Sequence, residues 1–313
     1  MRYINELREG EMVSETYLCK SKQTLKTKAG KNYYSLLLQD KTGTLDTKIW
    51  EISGGIDHFE GMDYIHVDGQ VVSFQGSLQL NVKRLRRSQE GEYDPSDFMP
   101  VTSKNVEEMF KEILKQIAKL ENQYLKKLAE SFFVEDKNFV IKFKNHSAAK
   151  SVHHGFVGGL LEHTLSVMKL CDYYAENYPI LNRDLLITSA LFHDVGKLEE
   201  LSSFPENDYT DEGQVLGHIF IGTEMISERI RTIPNFPVSL SSEIKHCILA
   251  HHGELEYGSP KKPAIAEALA LNFADNTDAK LQTMTELFKG SEDKAEWLGY
   301  NRYFESNIRK TTM

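Results

Sequence analysis

The sequence predicts two unlike parts, an all-β N-terminal barrel followed by an all-α helical bundle. Three observations predict this. Apolar residues alternate at period two as far as about Arg87, with turn signals between the runs. The polar stretch from Ser88 to Ser96 then shows no periodicity and holds Gly91 and Pro95. Beyond it the apolar period becomes helical. The expected organisation is a barrel over residues 1–90, a linker over 91–105 and a helical domain over 106–313.

The strand-like segments are Tyr33 to Leu38, Leu45 to Trp50, Tyr64 to Phe74 and Leu78 to Leu85. Turn signals separate them at Lys28-Ala29-Gly30-Lys31, Asp40-Lys41-Thr42-Gly43, Ser53-Gly54-Gly55 and Gln75-Gly76-Ser77. Short strands at this spacing suggest a small barrel. After the linker, Val106, Phe110, Ile113, Leu114, Ile117 and Leu120 share one helical face, with Thr102 or Ser103 as the expected cap. Amphipathic helices with short breaks continue to the end, with no internal repeat at fixed period.

Composition narrows the function classes. A chain of 313 residues holds one large domain or two ordinary ones. With 40% hydrophobic and 27% charged residues it can bury a core. Cys19, Cys171 and Cys247 form no CxxC pair, which argues against a disulfide scaffold or thiolate zinc site and fits a reducing cytoplasm. The opening residues, MRYINELREGEM, hold no apolar stretch of a secretory signal. No apolar run is long enough to span a bilayer, so no membrane partner is expected. A net charge of -9 argues against indiscriminate nucleic-acid binding by the whole surface and leaves room for a local basic groove.

Most of the 11 histidines lie in the second half. His193-Asp194 ends the apolar helical run Leu185 to Phe192. His163 lies in Gly158-Gly159-Leu160-Leu161-Glu162-His163-Thr164, at the start of another helix. His218 follows Gly217, His251-His252-Gly253 closes the helix with Ile244 and Ile248, and Asp275 lies in the helix from Ala264 to Asp278. A lone histidine on an apolar helix is more often a hydrogen-bonded core residue than a ligand. An unpaired carboxylate there costs several kcal/mol. As a set, imidazoles and carboxylates from several helices are what a divalent metal site needs. Lys197 follows one turn on, either to contact substrate phosphate or as an exposed lysine favoured by a helix C-terminus. His58, His66, His146 and His246 fall in no pattern.

The order His163…His193-Asp194…Asp275 resembles the signature of the HD superfamily of metal-dependent phosphohydrolases. The resemblance implies a first metal site from His163, His193, Asp194 and Asp275. It implies a second from Asp194, His218, His251 and His252. The cofactor it implies is divalent metal, two ions, with Mn²⁺ favoured and Co²⁺, Fe²⁺, Ni²⁺ or Zn²⁺ compatible with nitrogen and oxygen ligands. The implied chemistry is metal-activated hydroxide attacking phosphorus in line. Asp194, Lys197 and His154 are the implied catalytic residues. The stretch His153-His154-Gly155 borders the site in this family, as a phosphate or leaving-group contact or as a loop of solvated imidazoles.

Glu15 to Arg87 resembles an OB-fold of the nucleic-acid-binding kind, through Tyr33 to Asp40, Gly43, Leu45 to Trp50, Val67 to Val71 and Gln79 to Val82. The fold class is thus an OB-fold barrel followed by an HD-domain helical bundle. Lys20, Lys22, Lys26, Lys28 and Lys31 cluster in one hairpin, and Lys83, Arg84, Arg86 and Arg87 form a second cluster. Beside Tyr33, Tyr34, Trp50 and Phe74 they offer phosphate attraction and base stacking. The competing reading makes alternate aromatics barrel core and the lysines solvated edges, and about half the aromatics must point inward.

The combination of the two parts is similar to the YhaM-type 3′-5′ exoribonucleases of Gram-positive bacteria. That implies hydrolysis of single-stranded RNA, with single-stranded DNA as a further candidate, to nucleoside monophosphates. Two other readings stay open: a phosphohydrolase of a small cyclic or free nucleotide with a regulatory barrel, and a non-catalytic nucleic-acid-binding protein. The aromatic segment Trp297 to Phe304 docks either on the helical core or on another subunit. A homo-oligomer would set several barrels around a channel.

Overall fold

In the computed structural model, which describes residues 1–311 other than 53, 75–76, 151–153 and 290–295, the period-two segments pair into a closed barrel. Its strands are β1 (Met12–Lys26), β2 (Asn32–Asp40), β3 (Gly43–Ile49), β4 (Tyr64–Phe74) and β5 (Ser77–Arg87). They follow the order β1-β2-β3-β5-β4. All pairings are antiparallel except β3 with β5. This five-stranded closure is OB-like. The turn expected at Gln75-Gly76 and residue Ser53 lie outside the described residues.

β1 is the strand the sequence did not single out. Met12 to Leu18 pair with β4, and Leu18 to Lys26 pair with β2, with a bulge between Cys19 and Ser21 in the second ladder. One strand thus closes the barrel by serving two neighbours. Val13, Tyr17, Leu36, Leu38, Leu45, Ile49, Ile65, Val67, Val71, Leu80, Val82 and Leu85 fill the interior. The segment after β5 packs back on the barrel. Tyr93 stacks on Tyr64 at 4.0 Å, Phe98 is fully buried, and Asp97 accepts from the Tyr3 hydroxyl at 2.7 Å. By contacts the barrel unit comprises Met1–Ser103 and Ser202–Asp208.

The other unit comprises Lys104–Leu201 and the chain from Tyr209 on. Its helices are α1 (Val106–Ala118), α2 (Gln123–Phe133), α3 (Lys137–Asn145), α4 (Gly159–Asn177), α5 (Arg183–Phe192), α6 (Lys197–Glu200), α7 (Asp211–Arg231), α8 (Val238–Leu249) and α9 (Ala266–Lys289). A hairpin, β6 (Trp297–Asn301) with β7 (Ser306–Arg309), follows. α1 is capped by Asn105, not by Thr102 or Ser103. The Asn105 side chain accepts from the Glu108 N–H at 3.1 Å because it directly precedes the first helical residue in extended conformation. Every residue of α5 from Leu185 to Phe192 is buried. A helix enclosed on all sides runs through the core, and its C-terminus delivers His193 and Asp194 into the interior.

Two glycines set the approach of the elements around that point. Gly217 holds φ 74° and breaks α7 one residue before His218. A Cβ on Gly196 would lie 2.0 Å from the His218 carbonyl oxygen and 2.6 Å from the Gly222 nitrogen. Only glycine lets the chain after Asp194 pack on the kink of α7. Gly196→Ala should therefore overpack the contact at a cost of about 1–3 kcal/mol. Calorimetry of metal-free protein should show a lower unfolding midpoint, by about 2–4 °C per kcal/mol. An unchanged midpoint would show that the contact yields.

Candidate metal centre

Asp194 lies at the focus of four helices. Its Oδ2 is 3.4 Å from His163 Nε2 on α4 and 3.5 Å from His193 Nε2. Asp275 Oδ1 on α9 completes this group, 3.2 Å from His163 Nε2 and 3.9 Å from His193 Nε2. The other oxygen, Oδ1, is 3.5 Å from His218 Nε2 on α7 and 3.7 Å from His251 Nε2 at the end of α8. His252 joins His218 and His251, with the three donor atoms within 4.8 Å of one another. All seven residues singled out as metal ligands therefore converge. They form two lobes that share one carboxylate.

The imidazoles are held with Nε2 inward. His193 Nδ1–H donates to the Ala190 carbonyl at 2.8 Å, and His251 Nδ1–H donates to the Ile248 carbonyl at 2.7 Å. His252 Nδ1–H donates to the Tyr257 carbonyl at 2.8 Å. His218 Nδ1 meets Glu200 Oε1 at 2.9 Å, and His163 Nδ1 meets Asp278 Oδ2 at 2.7 Å. Fixing Nδ1 in this way sets the tautomer and ring orientation needed for ligation through Nε2.

Three buried atoms at the centre, Asp194 Oδ1, His218 Nε2 and His251 Nε2, have no hydrogen-bond partner among the described residues. Leaving buried polar atoms unsatisfied is costly, and a cation at their meeting point satisfies all three. The donors are nitrogen and oxygen with no thiolate, the set that suits Mn²⁺, Fe²⁺, Co²⁺, Ni²⁺ or Zn²⁺. The residues present fit a divalent metal.

The electrostatics point the same way. Burial would raise the Asp194 carboxyl, but Lys197, His193, His163 and His218 hold it well below the usual range. Burial together with His252 and His193 pushes His251 well below the ordinary histidine value, so it stays neutral. His163 is the exception. Burial alone would lower it, yet the carboxylates of Asp194, Asp275 and Asp278 hold it well above. Protonated His163 and the Lys197 ammonium balance the carboxylate charge.

Lys197 is the first residue of the four-residue α6 and is not the exposed lysine of the alternative reading. Its Nζ is 2.6 Å from Asp194 Oδ2 and the side chain is largely buried. His154 is buried with its Nε2 2.9 Å from Asp278 Oδ2, so its link to the centre runs through Asp278 and His163. It is not a solvated loop imidazole. His153 lies outside the described residues. His146, given no role, is a core histidine bonded to the Ser147 and Leu201 carbonyls.

Asp278 and Glu200 were missed in the sequence. Asp278 had a signal, since three residues after Asp275 it returns to the same helix face. Glu200 had none, because Glu199 beside it is exposed and only packing tells the two apart.

The basic and aromatic residues of the barrel fall into two sets. Tyr33 and Trp50 stack at 4.6 Å between centroids, and Trp50 remains 42% exposed. Trp50 Nε1–H donates to Asn81 Oδ1 across to β5. Lys20, Lys26, Lys28, Lys31, Lys83 and Arg84 are exposed. Tyr34 instead packs on the barrel core. Lys22 is committed locally, with Nζ donating to the Phe59 carbonyl and lying over the Tyr34 and Phe59 rings. Arg86 pairs with Glu92 at 2.7 Å, and Arg87 with Asp63 at 3.0 Å.

Residues 160–280 match the family model described as HD domain. The helical unit thus contains an HD domain over these residues, a class that depends on divalent metal. The chain is 35% identical over 286 residues to the protein named 3′-5′ exoribonuclease YhaM of Listeria monocytogenes serotype 4b, covering 90% of this chain and 89% of that protein. It is 34% identical over the same shares to the protein of that name from Listeria innocua serovar 6a. Among solved structures, the second OB-fold domain of replication protein A from Methanococcus maripaludis matches 29% of this chain and 98% of that one, at 20% identity and TM-score 0.24. The barrel assignment rests on the strand pairing instead. The chain belongs to the family of YhaM 3′-5′ exoribonucleases.

Two outcomes follow from this geometry. Asp278→Asn should weaken metal binding about 10- to 100-fold, as loss of an orienting partner does, in a chelator competition assay. Unaltered affinity would make the contact incidental. Because His163 is held protonated above pH 6.5, a bound cation must displace that proton. The apparent metal affinity should therefore keep rising with pH beyond 6.5, and a plateau there would contradict the assignment.

Proposed function

We propose that this protein is a metal-dependent 3′-5′ exoribonuclease that hydrolyses single-stranded RNA, and single-stranded DNA as a second substrate, to nucleoside monophosphates. The observation that carries this is the buried cluster around Asp194, with its unpartnered inward atoms, in a chain of this family. Asp194, His163, His193 and Asp275 are the ligands of one ion, and Asp194, His218, His251 and His252 those of the other, with Mn²⁺ the favoured metal. Bound divalent ions supply a water of lowered pKa and positive charge against the phosphoryl oxygens. The chain orients the donors through Ala190, Ile248, Tyr257, Glu200 and Asp278. Lys197, whose ammonium reaches Asp194, holds positive charge where a substrate phosphate would arrive.

The barrel favours a polymer over a small nucleotide as substrate. A stacked pair, half-buried Tyr33 on exposed Trp50, with exposed lysines on the same module suits bases and phosphates of a single strand. The free, buried cysteines fit a reducing cytoplasm as the site of action.

With 5′-labelled single-stranded RNA and Mn²⁺, the protein should produce a ladder shortening from the 3′ end. EDTA or Asp194→Asn should abolish it, a loss of at least about 10³-fold. Intact RNA under every metal, alongside hydrolysis of free or cyclic nucleotides, would overturn the proposal. Tyr33→Ala with Trp50→Ala should raise KM for RNA about 5- to 100-fold with kcat little changed. Lys22→Ala should lower thermal stability and leave KM near wild type. A KM change from Lys22→Ala as large as that of the aromatic pair would contradict the division drawn above.

A further inference from the structure

The C-terminal hairpin is part of the metal centre's surroundings. A cavity of about 580 Å³ is lined by Asp194, Lys197 and Asp275, by Asn276 and Lys280 of α9, and by Tyr303 and Phe304. Ile308 of β7 is buried, so the hairpin is docked. The turn between β6 and β7 is built to hold the two rings. The Asn301 side chain accepts from the N–H of Tyr303 at 2.9 Å and of Phe304 at 3.3 Å. Glu305 adopts φ 49° to close the turn. The rings meet edge to face, with centroids 5.0 Å apart. Tyr303 remains 49% exposed although it lines the cavity.

A cavity lined both by cationic and candidate metal-ligating groups and by half-exposed aromatic rings matches the two ends of one nucleotide. Phosphate belongs with the cationic and ligating groups, and a base has a π-face for the rings whatever its identity. The size falls in the range of small-ligand sites, about 300–1,000 Å³. We propose that the Tyr303–Phe304 turn is the base-stacking wall of the subsite for the 3′-terminal nucleotide, an assignment that rests on the exoribonuclease reading. Stacking recognises any base. It therefore gives the site affinity for a terminal nucleotide without sequence preference.

Kinetics with two RNA oligomers, one ordinary and one ending in an abasic 3′ ribose, test this on wild type, Tyr303→Ala, Phe304→Ala and Tyr303→Phe. Wild type should show KM about 10- to 100-fold higher for the abasic end. The alanine variants should raise KM for the ordinary oligomer by a similar factor and leave the abasic one unchanged, while Tyr303→Phe stays near wild type. Unchanged cleavage of the abasic oligomer also certifies that the variants fold. Equal use of both oligomers by wild type, or an equal loss on both in the variants, would overturn the wall. If wild type cleaves neither oligomer, the exoribonuclease reading fails, and calorimetry on Mn²⁺-loaded protein decides the wall separately. AMP should then bind about tenfold or more tightly than ribose 5-phosphate, with the gap lost in Tyr303→Ala/Phe304→Ala. No gap in wild type would refute the proposal.

Discussion

The carboxylate of Asp194 is 2% exposed, charged, and faces imidazoles with both oxygens. A buried carboxylate is expensive unless surrounded by donors or cations. The helical unit supplies that surrounding from every side: α4 brings His163, α7 His218, α8 His251 and α9 Asp275 and Asp278. Each of these residues is polar and largely enclosed, and each would be a liability in isolation. The enclosure of α5 fixes where Asp194 ends up, Gly196 and Gly217 let the following chain return close, and backbone carbonyls lock the rings. The fold and the charge at its centre therefore explain each other.

Much of this was legible in the sequence because it rests on periodicity and on residue type. The change from period two at the barrel to helical period at Val106 is a local signal, and the seven candidate ligands were visible as polar residues in apolar helices. What escaped depended on packing. β1 is half polar, with Ser21, Gln23 and Thr24 in its second half, so alternation is weak there although the strand is 15 residues long. Asn105 outcompeted Thr102 and Ser103 as the cap because position relative to the first helical turn decides capping, and residue type alone does not. Glu200 and Glu199 are equivalent as letters, and only the bend at Gly217 selects one of them to meet His218. Tyr303 and Phe304 read simply as an aromatic tail, since a four-residue turn closed by Asn301 is needed to aim them.

Sorting the basic residues of the barrel required the same kind of information. Lys22, Arg86 and Lys20 are alike in charge, yet Lys22 lies over two rings, Arg86 faces Glu92 and Lys20 projects to solvent. Strand alternation turned Tyr34 against the barrel core and its neighbour Tyr33 onto Trp50, both rings half-buried. The proposed function thus divides affinity for a strand and chemistry on its end between chemically different surfaces, one aromatic and cationic, the other a dense histidine and carboxylate cluster.

The central claim is that one carboxylate serves two ligand sets. Titration of EDTA-stripped protein with Mn²⁺, read by calorimetry and by metal analysis after desalting, tests it most directly when wild type is compared with His218→Ala. The account predicts two ions per chain in wild type and one in His218→Ala, with the remaining ion held by His163, His193, Asp194 and Asp275. A single ion in wild type whose binding is unaffected by His218→Ala would contradict it.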